Sequence, residues 1–338
     1  MPLFTQKDLF ASAEKLLECN PDPIPRLRLL RDVLRVDPAE AVYREAQNRL
    51  EASKWVTLLR DSQLPDGTWG RFHSQDSRVK QPFPTTESAI AIGLACGLEK
   101  DHPILAKAIE PILDYVEGRA TWPDPAEKHD NPLAWDVWVR HFSAAVLASV
   151  DPTHPCLQEF RQIWAEAVKV SFESGTYDRQ AEIRVLNQLL DCRMKDPVPF
   201  HRKYPLWILS ATANHLPAEL EDKVIDYLLH APQGIYYVCA GPLSLLPPIS
   251  QRYFWSWMQG HRLLSRFRSW KSACANAADW IWSQRNELGL WDLGGQISRK
   301  PFTSLPLSES WKRSENRVID SSVEVLTLLS RCFTDDSM

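Results

Sequence analysis

The chain has 338 residues, 44% hydrophobic and 24% charged, with a formal net charge of −4. That balance is ordinary for a globular protein, and without a basic excess nucleic-acid binding is not expected. No run of about 18 apolar residues occurs, so no transmembrane segment is expected, while peripheral membrane contact stays open.

Seven cysteines are scattered without a Cys-x-x-Cys pair, which suits buried free thiols in a reducing compartment. Met1-Pro-Leu-Phe-Thr-Gln-Lys-Asp lacks a basic stretch followed by an apolar core, so no signal peptide and a cytoplasmic location are expected. The unusual counts are 14 Trp and 25 Pro against 12 Gly, pointing to an aromatic core or an aromatic-lined cavity.

In chain order, residues 1–52 read as a helical appendage. Three short amphipathic helices are expected at 6–19, 25–36 and 39–53, the first two stopped by Asn20-Pro-Asp-Pro and Asp37-Pro38. They would cap the following unit or dock a protein partner. Residues 53–338 carry a recurring glycine-then-aromatic turn between helical runs: Gly67-Thr-Trp69, Gly118-Arg-Ala-Thr-Trp122, Gly175-Thr-Tyr177, Gly234-Ile-Tyr236 and Gly289-Leu-Trp291. A regular long spacing of this kind indicates stacked repeats. Glycine ends a helix in the left-handed region and the aromatic folds back over the helix ends.

The expected helices of this unit are 53–62, 85–98, 103–117, 134–149, 155–173, 178–192, 204–215, 217–230, 250–267, 268–285 and 318–333. The fold class is therefore all-α, an α/α toroid of five or six helical hairpins behind the N-terminal appendage. The connector 71–84, carrying Arg71, His73, Arg78 and Lys80, is long enough to be functional.

Gln63-Leu-Pro-Asp-Gly67-Thr-Trp69 resembles the glutamine–tryptophan repeat of squalene and oxidosqualene cyclases, shared more loosely by protein prenyltransferase β subunits. The resemblance spans roughly residues 50–333 and is best at the first and last turns. It implies a toroid whose aromatic-lined cavity holds an isoprenoid or similar apolar ligand. The family's Asp-x-Asp-Asp acid is absent in a helical context, as is the Asp-x-Cys of the zinc-binding prenyltransferases. The fold transfers more readily than the known reactions.

Acidic residues fall at expected starts of inner helices: Glu87, Asp136, Asp178 with Glu182, and Asp320 with Glu324. Among aromatic neighbours such a carboxyl would stay protonated and act as a general acid; alternatively each caps its helix. Asp136 leads the catalytic candidates, flanked by Trp135 and Trp138, with Arg140 and His141 following. Substrate contacts are expected from Trp135, Trp138, His141, Trp207, Tyr253, Trp255 and Trp257, whose ring faces would stabilise a cation. Arg252, with Arg262, Arg266 and Arg268, would clamp a diphosphate or form a solvated face. No His or Cys pair has metal-ligand spacing, so neither a metal nor another cofactor is expected. Three readings stay open: an isoprenoid-binding protein with acid-initiated cyclisation, a carbohydrate-active (α/α) barrel, and a non-catalytic toroid that binds a protein.

Overall fold

The computed structural model describes residues 3–76, 78–122, 124–125, 132–211, 216–249, 252–294 and 305–333. Among them secondary structure is helical throughout, apart from one isolated antiparallel bridge between Ile235 and Cys239. The all-α expectation is met.

The N-terminal segment holds α1 (Gln6–Glu18), α2 (Pro23–Arg28) and α3 (Ala41–Leu50), with a π-helical turn at Leu29–Val33 directly after α2. Thr5 starts α1 through a reciprocal capping box with Asp8. Then come α4 (Lys54–Ser62), α5 (Thr86–Cys96), α6 (Pro103–Val116) and α7 (Pro132–Val150). They are followed by α8 (Gln158–Ser171), α9 (Arg179–Leu189), α10 (Lys203–Leu209) and α11 (Ala218–His230). The last four are α12 (Arg252–Leu264), α13 (Trp270–Ala273), α14 (Ala275–Ser283) and α15 (Ser314–Ser330).

Expected and observed helices agree closely, with three differences. The helix expected at 25–36 changes to π-type hydrogen bonding at Leu29. The run 268–285 divides at Cys274 into α13 and α14. The segment 204–215 leaves the helix at Leu209, and residues 212–215 lie outside the described ones.

Helices adjacent in the chain pack together: α4 with α5, α6 with α7 and α8 with α9, while α10 lies against both α7 and α8. The two ends of the chain also meet. Here α1, α2 and the π turn pack on α15. Phe4 stacks on Trp282 with centroids 4.9 Å apart, and Lys15 Nζ donates to Leu288 O at 2.6 Å. Arg28, buried, reaches Glu324 at 2.6 Å. One apolar core, extending from Phe4 to Leu329, joins these layers.

The first and last glycine–aromatic turns are built alike. In the first, Leu64 N–H donates to Thr68 O and Gly67 N–H to Leu64 O; in the last, Asn286 and Leu290 take those places and Gly289 the glycine's. Gly67 and Gly289 sit at φ +86° and +74°, where a Cβ is disfavoured. The indole Nε1 of Trp69 donates to Leu59 O at 3.0 Å, and that of Trp291 to Ile281 O at 2.8 Å. Their backbone N–H groups are received by hydroxyls of the next long helix, Thr86 at 2.9 Å and Ser322 at 3.1 Å.

Candidate functional site

The first turn leads into a polar cluster around Glu87. Beyond Trp69 the chain is stitched to the start of α5: Thr86 N–H donates to Arg71 O and Glu87 N–H to Phe72 O. Thr85 caps the helix, exchanging hydrogen bonds with Ser88. Asp124 holds the other side of this loop, accepting the N–H groups of Phe72, His73 and Ser74 at 2.7, 2.7 and 2.6 Å. His73 and Glu87 are thereby brought together from 14 residues apart.

Glu87 is buried and surrounded by side chains. Lys203 Nζ, from the start of α10, lies 2.5 Å from Oε1, and His73 Nδ1 lies 2.9 Å from Oε2. Tyr204 Oη donates to the same carboxylate at 2.9 Å and is 3.0 Å from His73 Nδ1. Burial opposes the charge on Glu87, but the Lys203 ammonium and the His73 contact outweigh it and bring the carboxyl down to about 2. Burial likewise pulls His73 down, yet the hydrogen bond and charge of Glu87 raise it above its ordinary value. Burial, reinforced by Glu87, keeps Tyr204 a phenol.

Among the other buried carboxylates, Glu182, Glu221 and Asp320 take backbone N–H groups, and Glu182 also a phenol, Tyr177 at 2.6 Å. Glu182 accepts the N–H of Phe200, Glu221 that of Ser269, and Asp320 those of Leu307 and Ser308. Each pins a loop to a helix, which a buried acceptor does well. Glu87 is held by an imidazole, an ammonium and a phenol. A carboxylate only accepts, so the proton on the shared edge belongs to His73 Nδ1, and the basic lone pair is left on Nε2.

Aromatic rings enclose the cluster. Trp122 and Phe142 each lie 5.9 Å from the His73 ring, and Phe142 packs against Tyr204 at 4.4 Å. Trp135 meets Trp122 edge-on at 5.9 Å, and Trp138 stacks on Phe142 at 6.2 Å. The Lys203 ammonium sits 4.5 Å over Trp207.

Four of the residues chosen from sequence thus share one assembly: Glu87, Trp207, Trp135 and Trp138. Glu87 is held ionised, so the protonated general acid expected there is not what this site contains. Asp136 is exposed and lacks the burial between indoles expected of it. Trp135, Trp138, Val139 and Phe142 follow i, i+3, i+4, i+7 spacing on α7 and turn inward together, which carries position 136 off that face. Asp178 caps α9, its Oδ1 accepting the N–H groups of Gln180 and Ala181.

Asp320 is fully buried, and burial pushes its carboxyl up to about 6 against hydrogen bonds from Ser308, Trp311 and Leu307. Those donors tie residues 307–311 to α15. His141 lies in the core against Trp138 and Phe160, and burial drives it down to about 3. Its neutral Nδ1 accepts from Trp164 Nε1 at 3.2 Å.

Trp257 is fully buried and donates to Leu243 O at 2.8 Å. Trp255 is buried in the same apolar core, and the Tyr253 hydroxyl donates to Pro242 O at 3.3 Å. The Arg252 side chain lies outside the described residues. Of the other arginines, Arg262 pairs with Glu324 at 2.7 Å and Arg268 donates to Leu216 O at 2.9 Å.

Sequence reading passed over Lys203, Tyr204, Trp122 and Phe142 as site residues. It reached His73 only through the length of its loop. Two clefts, of about 380 and 630 Å³, run along α8. They are lined mainly by polar and aliphatic side chains such as Arg140, Glu159, Gln162 and Lys169, and by none of the residues chosen from sequence. The titratable cluster around Glu87 and its aromatic wall lie elsewhere. Among the described residues no group of three or more His, Cys, Asp and Glu could hold a metal ion, and no helix is long and apolar enough to cross a membrane. No protein-family model, curated protein or solved structure matches the chain.

Proposed function

We propose that the protein binds a small molecule with an apolar body, of the isoprenoid class, and that His73 exchanges a proton with it. In this reading the chain is a divergent, terpenoid-cyclase-like and prenyltransferase-like α/α toroid. The meeting of α1 and α2 with α15 and the matching frames of the Trp69 and Trp291 turns support a closed ring of hairpins.

The observation that carries the proposal is the His73–Glu87–Lys203–Tyr204 cluster walled by Trp122, Phe142 and Trp207. Such a wall with a few convergent polar groups is the common form of a small-molecule site. Glu87 orients the imidazole and stabilises its charged form, the role of the acid in a catalytic dyad. Proton donation then falls to His73, whose protonated form the hydrogen bond and charge of Glu87 favour against burial.

The carbohydrate-active alternative calls for two working carboxylates. Asp124 is the second acid near His73, and its oxygens are committed to three backbone N–H groups.

Titration with farnesol, read by tryptophan fluorescence, tests the site. Binding is expected in the wild-type chain and at least tenfold weakening in Phe142→Ala. Equal affinity in both proteins would remove the site from this wall. His73→Asn is expected to leave farnesol binding within threefold and to remove any turnover.

A further inference from the structure

At the mouth of the cluster a short hairpin brings two exposed tyrosines over His73. Ile235 N–H donates to Cys239 O at 2.9 Å and Cys239 N–H returns to Ile235 O at 2.8 Å, closing its base. Tyr237 sits at the tip with φ +67°, a conformation that costs an L-residue energy and persists only when its surroundings impose it. Its ring lies 6.3 Å from the His73 ring, and 63% of the residue is exposed. Tyr236, 50% exposed, packs on Tyr237 at 4.1 Å. The Arg202 guanidinium lies 4.4 Å over the Tyr236 ring.

The charges around the site are unequal in their commitments. Lys203 is matched by Glu87 at 2.5 Å. Arg71 and Arg78 share Asp76. Arg202, next in the chain to Lys203, forms no ion pair with a carboxylate among the described residues. It is held in place by the face of an aromatic ring, which fixes a guanidinium without satisfying its hydrogen bonds.

Resting on the small-molecule reading above, we infer that the bound molecule carries a single anionic group, a carboxylate, at its outer end, and that Arg202 receives it on the Tyr236 platform. A carboxylate matches the planar fork of one guanidinium. Arg202, uncommitted among the described residues, balances one negative charge, whereas a diphosphate would need several. The apolar body would then pass Tyr237 towards Trp122 and Phe142.

Two probes separate this inference from the reading it rests on: farnesol, and farnesoic acid at pH 7.5, which share the same body and differ in the charged end. Wild-type protein is expected to bind farnesoic acid at least tenfold more tightly than farnesol. In Arg202→Gln that preference is expected to fall within threefold, with farnesol affinity unchanged and the thermal midpoint preserved. Tyr236→Leu, which keeps Arg202 but removes its platform, is expected to lose most of the preference as well. Equal binding of the two probes by the wild-type chain, or a preference that survives Arg202→Gln, overturns the carboxylate assignment while leaving the site intact. Failure of both probes to bind overturns the site and this inference together.

Discussion

Trp69 and Trp291 stand at the same point of two copies of one local structure, yet the charged groups beside them have different partners. In both, a left-handed glycine turns the chain, an indole N–H returns to a carbonyl ten residues earlier, and a hydroxyl receives the tryptophan's backbone N–H. The residue after that hydroxyl is Glu87 in the first copy and Val323 in the last, both buried. The last copy's nearest acid, Glu324, is closed off by Arg28 and Arg262 at 2.6 and 2.7 Å. Burial of charge is therefore common to both regions and does not by itself mark function. What separates them is the chemistry of the partners: guanidinium groups that never release a proton in one, imidazole and ammonium in the other.

The comparison breaks first at its tryptophans if the two frames are not equivalent. Trp69→Ala and Trp291→Ala are each expected to lose about 3–5 kcal/mol of stability by chemical denaturation, because both indoles are almost wholly buried. A large loss at one and none at the other would show that the shared hydrogen bonds do not reflect shared packing. Neither change is expected to act selectively on ligand binding.

The two acids should part company next. Glu324→Gln leaves the buried Arg28 with one carboxylate partner fewer and is expected to cost about 3–5 kcal/mol. Glu87→Gln is expected to cost about 1–3 kcal/mol, since Lys203 and His73 keep 20% and 18% of their side-chain surface in water. Equal losses would make Glu87 another structural ion pair.

The pH dependence of that second loss sharpens the contrast. The lowered Glu87 carboxyl contributes stability that is present above its ordinary value of 4.5 and lost as pH falls toward about 2. The raised His73 contributes stability that is present below its ordinary value of 6.5 and lost as pH rises through its folded value. The difference between wild type and Glu87→Gln should therefore be greatest between about pH 4.5 and 6.5. In the variant, nuclear magnetic resonance titration should find His73 shifted downward, because burial and the Lys203 charge are then opposed only by Asp124, the weakest of these influences. A flat difference across this window would contradict the dyad.

The smallest expected effects are at the hydroxyls. Thr86→Ala and Ser322→Ala should each lose about 0.5–1.5 kcal/mol, the usual net worth of one hydrogen bond. A matching pair of values confirms the common frame; Asp136→Asn, on the exposed face of α7, should lie within about 0.5 kcal/mol of wild type.

Much of this architecture was readable because helices announce themselves locally. The 3.6-residue apolar spacing, the proline stops and the glycine–aromatic turns all act within a few residues of their own position, so the helix positions followed from the chain alone. Asp178 and Glu87 were likewise found as acids at helix starts. Two departures stand out: the run 268–285 divides at Cys274, and α2 passes into a π turn directly after Arg28, whose partner Glu324 is remote in the chain.

From the chain alone came an all-α protein, with acids near the starts of several helices. The chain alone did not determine which acid matters, because that depends on what lies opposite in space. His73 and Glu87 are separated by a loop, Lys203 and Tyr204 come from more than a hundred residues further on, and Trp122 and Phe142 from between. Only tertiary packing put an ammonium and an imidazole on Glu87, backbone amides on Asp320 and water on Asp136. Burial and partner charge set a carboxyl's chemistry, and both are properties of neighbours in space rather than neighbours in the chain.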